Sequence, residues 1–511
     1  MPSRRIIAGV GIATLLAGGC TSLKQYVHNG YKVGPNFSTP SSFVAPTWID
    51  ATDSRVRSET DDLSRWWTVF NDPSLNTLID EAYRQNLTLR EAGYRILQAR
   101  AELGIAKGEL FPQQQVMDGG FSQKGVSVAV ANREATPTRF FGTWTYGFGL
   151  QWELDFWGKF RRAIETGEAN LNASIFNYDD VLVTLLGDVA SQYVELRTLE
   201  AQLAFTRTNA KLQQETLALA KAQFQGGQVS ELDVDQAQSN LSTTEAEIPQ
   251  IEIQIRKTSN RICILLGVPA SDLQKLLAPG PIPTAPPTVA VGVPADLLRR
   301  RPDVRRAESV AAARSAQIGI AETEFYPAIG IGGTIGWGAA NFSDLFIPEA
   351  FTGSVGPGFQ WKILNYGRLL NNVKAKDAQF QQQVADYQNT VLKAGEEVEN
   401  GLITFLKSHE RAKASSEGVA AAEKAVKVAL VQYKAGLIDF NRVALLEQNL
   451  VGQQNQLAQA NGQIAQGLIH TYRALGGGWE LGRCTPEAPP VPQAIINDNS
   501  KLFDAKVLPP R

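Results

Sequence analysis

Few residues in this chain have the types and spacing to do chemistry. Arg301, Asp303, Arg305 and Glu308 place two guanidinium and two carboxyl groups within eight residues. Such a set could hold a charged group or pass a proton. It also suits the start of a helix, where an acid in the first turn meets the positive end of the helix dipole, and we assign it that structural role. The histidines, His28, His409 and His470, are scattered. The cysteines, at 20, 263 and 484, are too few for a disulfide framework and wrongly spaced for a zinc site. Cys263 and Cys484 lie near the ends of corresponding regions and could pair in an oxidising compartment. No Ser/His/Asp order or phosphate-binding Gly-Lys-Ser/Thr loop is present. Catalysis, a metal and a cofactor are therefore not expected.

Cys20 is the exception. Arg4 and Arg5 precede an apolar stretch from Ile6 to Leu16, which has signal-peptide length and is too short to span a bilayer. It ends in Leu16-Ala17-Gly18-Gly19-Cys20. Small residues before a cysteine resemble a bacterial lipobox, in which the thiol is lipidated, the chain is cut before it and the new amine is acylated. The large apolar residue sits one place further back than usual, and ordinary signal cleavage beside a chance cysteine is the alternative. Thr21, a non-acidic residue after Cys20, suits sorting to an outer membrane. Several acyl chains, at roughly 0.8 kcal/mol per buried CH₂, suffice for stable anchoring.

The 511 residues are 43% hydrophobic and 20% charged, with a formal net charge of −2. That balance describes an ordered protein and gives no reason to expect nucleic acid as a partner. No later segment reads as a transmembrane helix. If the mature chain crosses a membrane, it does so in a closed β-barrel, because open sheet edges cannot face lipid.

A long repeat organises the chain. Leu89-Arg90-Glu91-Ala92 returns as Val304-Arg305-Arg306-Ala307, and Leu110-Phe111-Pro112 as Phe325-Tyr326-Pro327, at the offset that separates Pro112 from Pro327. Gln151-Trp152 then returns as Gln360-Trp361, Trp157-Gly158-Lys159 as Tyr366-Gly367-Arg368, Gly227 as Gly436, and Leu266-Gly267 as Leu475-Gly476, all six residues closer. The proline-rich stretch 279–293 lies between the halves and cannot be helical throughout.

Each half reads in the same order. A helix comes first, Leu75 to Leu110 and then Pro294 to Phe325. Strands follow. From Thr143 to Glu153, Trp144, Tyr146, Phe148, Leu150 and Trp152 share one face, with Thr, Gly, Gln and Glu on the other. The segments from Ile329 to Trp337 and from Ser354 to Lys362 alternate in the same way. Gln113 to Lys124 alternates poorly and is assigned by its repeat position. An apolar-out, polar-in period with aromatic ends is the pattern of a transmembrane barrel, and a soluble half-buried sheet is the bland alternative. Four strands cannot close such a barrel, so several chains would have to contribute.

Long helices complete each half: Lys159 to Gln225 returning through Leu232 to Leu266, and Arg368 to Lys434 returning through Asn441 to Leu475. At 1.5 Å per residue the longer ones run roughly 100 Å. Leu182, Leu185, Val189, Gln192, Leu196, Leu199 and Leu203 step by three and four, the spacing of coiled-coil packing. The many Ala, Gln, Ser and Thr at other seam positions, as in Gln453-Gln454-Asn455-Gln456, are expected of a hollow wall wet on one side.

The stretch from Leu297 through Arg301-Pro302-Asp303 to Glu308 closely resembles a signature of the outer membrane factor family, the TolC-like proteins. Trp66-Trp67 with Phe70-Asn71-Asp72-Pro73, Glu153-Leu154-Asp155-Phe156-Trp157-Gly158 and Leu475-Gly476-Gly477-Gly478-Trp479 support it. The resemblance runs from about Cys20 to Trp479 and is strongest to the NodT branch of efflux lipoproteins. It implies a mainly α fold with a membrane β-barrel portion, in which four strands from each of three chains make a twelve-stranded barrel and long antiparallel hairpins form a periplasmic tunnel. A small mixed equatorial domain would girdle that tunnel.

The expected division is a signal peptide (1–19), an N-terminal equatorial segment (20–74), a first repeat (75–278), a linker (279–293), a second repeat (294–478) and a C-terminal tail (479–511). The implied role is an outer-membrane channel of a tripartite efflux pump. Its partners would be outer-membrane lipid, a periplasmic adaptor and an inner-membrane pump, commonly of the RND class. A channel of an ABC-driven type I secretion system and a non-conducting, lipid-anchored scaffold are the alternatives.

The resemblance also implies two sites. The hairpin turns, Gly226, Gly227, Gln228, Val229 and Ser230 in the first half and Ala435, Gly436, Leu437, Ile438 and Asp439 in the second, would dock the adaptor. A ring of side chains on the helix after the second turn would constrict the entrance. Relatives usually carry Asp there, whereas this chain reads Val443-Ala444-Leu445-Leu446, so Leu445 takes the ring position. Glu447, Asp233 and Asp235 are the other candidates.

Overall fold

The computed structural model describes residues 22–59, 62–127, 129, 138–273 and 277–481. In chain order the elements are α1 (Leu23–His28), β1 (Val56–Arg57), α2 (Pro73–Gln85), α3 (Leu87–Gly108), β2 (Gln114–Gly125), β3 (Phe140–Glu153), α4 (Lys159–Gln225) and α5 (Glu231–Leu265). Then come β4 (Val289–Ala290), α6 (Leu297–Arg300), α7 (Pro302–Thr323), β5 (Ala328–Ala339), β6 (Phe351–Gln360), α8 (Arg368–Lys434) and α9 (Phe440–Ala474). The duplication extends to length: α3 and α7 have 22 residues each, α4 and α8 have 67, and α5 and α9 have 35. Among the described residues no helix is long and apolar enough to cross a membrane.

Two expected helices are each divided. The run from Leu75 to Leu110 breaks at Asn86, whose ψ of 125° is not helical. The Asn86 side chain accepts from the Leu89 amide at 2.8 Å, capping α3, and donates to the Leu265 carbonyl at 2.9 Å. The run from Pro294 to Phe325 breaks at Arg301 (ψ 123°), because the ring of Pro302 disfavours the helical region for the residue before it. Asn86 and Arg301 are equivalent in the repeat, so each half bends at the same place. The proline that α5 carries in its interior, Pro249, removes a main-chain donor; the equivalent place in α9 is Ala458.

The chain forms two compact units. The first comprises Met1–Pro40, Ile96–Ser174 and Ala307–Tyr387. Its sheet is antiparallel throughout, in the order β2-β3-β5-β6. Register sorts the side chains by face. Gly119, Tyr146, Trp337 and Phe351 form one cross-strand row, and Met117, Phe148, Ile335 and Gly353 the next. The rows between them hold Asp118, Gly147, Gly336 and Thr352, or Gly149, Thr334 and Ser354 opposite Val116. Since neighbouring residues on a strand point to opposite faces, one face is aromatic and aliphatic and the other polar and glycine-rich. Phe148, Ile335, Val355 and Phe359 are exposed on the apolar face. At the end of the sheet nearer the helices, Trp152 donates to the Leu110 carbonyl (3.2 Å) and its repeat equivalent Trp361 to the Phe325 carbonyl (2.9 Å). The segment before Pro40 straps the start of α4: Arg161 donates to the Gly30 and Tyr31 carbonyls, and Arg162 to those of Val33 and Gly34.

The second unit comprises Ser41–Arg95, Ile175–Arg306 and Gln388–Arg511. It adds a two-stranded parallel sheet of β1 and β4, too short to be legible in the sequence. The Asn71-Asp72-Pro73 stretch is a helix start. Asn71 is left-handed (φ 51°), Asp72 accepts from the Ser74 and Leu75 amides, and Pro73 opens α2, where no donor is needed. The Tyr193 hydroxyl donates to Asp72 at 2.8 Å. The buried Arg197 donates to the Tyr193 hydroxyl, to Glu200 and to the Ala278 carbonyl.

Candidate functional site

The Arg301 cluster is a structural clasp. Its guanidinium, about nine-tenths buried, pairs with both carboxylate oxygens of Asp303 (2.9 and 2.7 Å), donates to the Ala474 carbonyl at the end of α9 (2.7 Å) and meets Glu397 of α8 at 2.8 Å. Arg306 meets Asp180 at 3.6 Å and Arg473 meets Asp188 at 3.0 Å. These groups are thus paired with one another, whereas Arg305 lies over the Phe176 ring at 4.0 Å and Glu308 accepts from the Thr39 hydroxyl at 2.5 Å. No group of His, Cys, Asp and Glu able to hold a metal occurs among the described residues.

The two hairpin turns are built alike. Gly227 (φ 69°) and Gly436 (φ 70°) take the left-handed conformation that glycine adopts without steric cost. In the first turn the Gly227 amide donates to the Phe224 carbonyl and the Gln228 amide to that of Gln223, both at 2.9 Å. Gly436 and Leu437 donate to the Tyr433 and Gln432 carbonyls at the same distance. These paired bonds close the helix end and reverse the chain. The return helices start differently. Asp439 caps α9 by accepting from the Arg442 amide at 3.1 Å, whereas Ser230 makes no side-chain cap. Val229 and Ile438 pack against one buried cluster that includes Ala220, Ala237, Tyr433, Phe440 and Val443, so the two turns lie together. Gly226, Gln228, Ala435 and Gly436 remain exposed, and Leu437 is 74% exposed.

The four constriction candidates separate. Leu445 is 56% exposed on α9. Asp235 is exposed and Asp233 half-buried. Burial, then the charge of Asp439, raises the Asp233 carboxyl above the usual carboxylate range. Glu447 is corrected: it is 2% exposed and sits inside the seam between the hairpins. Its carboxyl accepts from Thr216 of α4 and from Asn240 of α5, each at 2.9 Å. Burial pushes its pKa up to about 6, against the lowering effect of these two bonds. A side chain enclosed by three helices of its own chain cannot line an entrance.

Glu447 belongs to a polar seam whose bonding was not read from the sequence. Asn209 donates to Gln454 (2.7 Å), and Gln448 donates back to Asn240 (3.1 Å). Thr206, Asn209, Gln213, Thr216 and Gln223, all buried on α4, follow steps of three, four, three and seven. That spacing was the available signal. The polar seam residues had been expected to wet a hollow wall; Gln456 is exposed as expected, but Gln454 is buried. Cys20 and Cys484 lie outside the described residues, and Cys263 is buried with no disulfide partner among the described residues.

Comparison with known proteins agrees with this geometry. The family model described as outer membrane efflux protein matches residues 78–268 and 293–477, one segment in each half. The chain is 31% identical to nodulation protein T of Rhizobium leguminosarum bv. trifolii, over 88% of this chain and 95% of that one. It is 29% identical to the pyoverdine export outer membrane protein OpmQ of Pseudomonas putida, over 86% and 94%. Among solved structures, the outer-membrane channel OprN superposes with a TM-score of 0.80 at 30% identity, covering 88% of this chain and 99% of that one. The CmeC outer membrane channel of Campylobacter jejuni, at 20% identity, shares the fold with a TM-score of 0.81. The chain therefore belongs to the outer membrane efflux protein family, as a TolC-like channel subunit of the outer membrane.

Proposed function

We propose that this chain is a passive conduit in a tripartite pump, exporting small molecules through a homotrimeric channel without a catalytic step of its own. The observation that carries this reading is the four-stranded sheet, apolar on one face and polar on the other, whose edge strands β2 and β6 have no further strand beside them among the described residues. Three copies supply twelve strands and leave no edge in lipid. The paired turns at Gly227 and Gly436 dock a periplasmic adaptor, which joins the channel to an inner-membrane pump of the RND class. The division into signal peptide, two repeats and equatorial segments belongs to the same reading, as does acylation of Cys20. The mass of the N-terminal peptide of the mature chain tests the acylation directly.

Oligomeric mass in detergent, together with single-channel conductance of the same sample in planar bilayers, tests the whole. A trimer with discrete, narrow conductance steps is expected. A monomer in bilayers overturns the shared barrel, and a trimer that never conducts, even when loosened at the turns, overturns the conduit.

Leu445, exposed one turn and a half beyond the second hairpin turn, is the residue we place at the entrance. Leu445→Asp is expected to raise the cation preference of the purified channel, since symmetry makes one carboxylate a ring. Unchanged selectivity would remove Leu445 from the entrance.

A further inference from the structure

The eleven residues joining β5 to β6 hold four large apolar side chains, Phe342, Leu345, Phe346 and Ile347. This composition is unusual for a water-facing connection, where polar turn residues are the norm. The segment does not simply leave the sheet. Leu345 is 3% exposed. Phe342 stands edge-on to Trp144 (ring centroids 5.2 Å) and to Phe346 (5.7 Å), and Phe346 lies 6.4 Å from Tyr146. Trp144 and Tyr146 are successive residues on the apolar face of β3, about 7 Å apart along the strand. The chain therefore turns back along the apolar face after leaving β5, at the end of the sheet away from α3 and α4. Asp344 holds the turn by accepting from Asn341 (2.9 Å) and Ser343 (3.0 Å).

Beyond these contacts, Phe342 is 56%, Phe346 66% and Ile347 43% exposed. They rest over β3 and β5, the two inner strands of the sheet, away from the edges that pair with neighbouring chains. Tyr146 stacks on Trp337 (5.0 Å), and Trp337 meets Phe351 (5.8 Å), so the surface is continuous with the face of the sheet that lies in the outer membrane. Asp344 and Glu349 mark its polar border. Aromatic rings with an apolar body and a wet rim favour the boundary between headgroups and acyl chains.

We propose that the Phe342–Ile347 turn is a lipid-binding wedge, with acyl chains at the outer surface of the outer membrane packed against Phe342, Phe346 and Ile347. This rests on the membrane assignment of the sheet, and the test separates the two. A nitroxide is placed on Phe346→Cys, and in a second sample on Ile335→Cys of the sheet face, in the full chain carrying Cys484→Ser. The labelled parent provides the background, and the proteins are reconstituted in vesicles of phosphatidylcholine and phosphatidylglycerol. Both labels are expected to relax several-fold more readily with oxygen than with a water-soluble nickel complex. Lipid access at 335 with nickel access at 346 overturns the wedge alone. Nickel access at both overturns the membrane reading of the sheet together with the wedge.

Discussion

Two stretches of α4 show the same step of three and four and differ in how much polar chemistry they bury. From Leu182 to Leu199 the buried positions are largely apolar, including Leu182, Leu186, Val189 and Val194. Buried Leu402, Phe405, Leu468 and Tyr472 supply the matching region of α8 and α9. There the backbones approach closely: a Cβ on Gly467 would lie 2.5 Å from the Phe405 nitrogen. From Thr206 to Gln223 many buried positions are polar; Asn209 and Thr216 bond across the seam, and the carboxyl of Glu447 lies among them. Apolar burial is lost outright when a contact opens, at roughly 25 cal/mol per Å². A buried hydrogen bond exchanges for water and nets only about 0.5–1.5 kcal/mol. The first stretch is built to stay shut. The second, next to the turns, mixes polar rows with the apolar cluster of Leu217, Ala220 and Phe440, and its polar rows separate at a smaller cost.

Perturbing each stretch in turn tests this contrast. The largest effect is expected from Phe405→Ala, which empties a fully buried site and should lower the unfolding free energy by about 3–5 kcal/mol. A loss below about 1 kcal/mol in denaturant titration would remove the distinction between the seams. Glu447→Ala should cost about 1–3 kcal/mol by leaving the buried Asn240 amide without its acceptor, while the Thr216 hydroxyl keeps its bond to the Leu212 carbonyl. Its effect should be confined to hydrogen exchange in α5 and α9 near the turns. Exchange that spreads to Leu468 would show one cooperative seam where we describe two.

Acidity offers a gentler probe. The Glu447 carboxyl is raised from 4.5 to about 6 by burial. Its contribution to stability is full below 4.5, where it is protonated in both states, and is lost as pH rises through about 6. Protection near residue 447 should therefore increase on acidification from pH 7 to pH 5, by at most about 2 kcal/mol. Glu447→Gln should abolish this dependence, and a slope that survives the substitution would assign it to another group. The smallest effect is expected from Gly436→Ala. Left-handed strain of about 1–2 kcal/mol should open the second turn to limited proteolysis while leaving the first unchanged.

How much of this was legible depended on what each residue reports. The long helices were read to within a residue because no proline interrupts α4, α8 or α9 and glycines 227 and 436 follow the ends of α4 and α8. The faces of β3, β5 and β6 were read because alternation survives in them, while β2, with Val116 on the polar side, needed the repeat to be recognised. The bends at Asn86 and Arg301 were missed. An asparagine inside a helical pattern does not declare that its side chain caps the next helix, although Arg301 before Pro302 did carry a signal. Glu447 was misread because a carboxyl ordinarily seeks water, and its partners Thr216 and Asn240 lie more than two hundred residues away. No local pattern shows such a pairing. Even so, the run of polar residues at core spacing on α4 was visible in the sequence, and polar seam positions such as Gln454 were read as a wetted wall.

The equal lengths of the paired helices act as a gauge. Both turns reach the same level because α4 and α8 hold the same number of residues, as do α5 and α9. Deleting one heptad from α4 and a matching one from α5 would retract the first turn by about 10 Å and leave the second standing proud. A partner that grips both at once would then reach only one, although every residue of the surviving turn was intact. Insertions and deletions in this chain are therefore constrained as pairs: a change of length tolerated in one half becomes harmless only when the other half copies it.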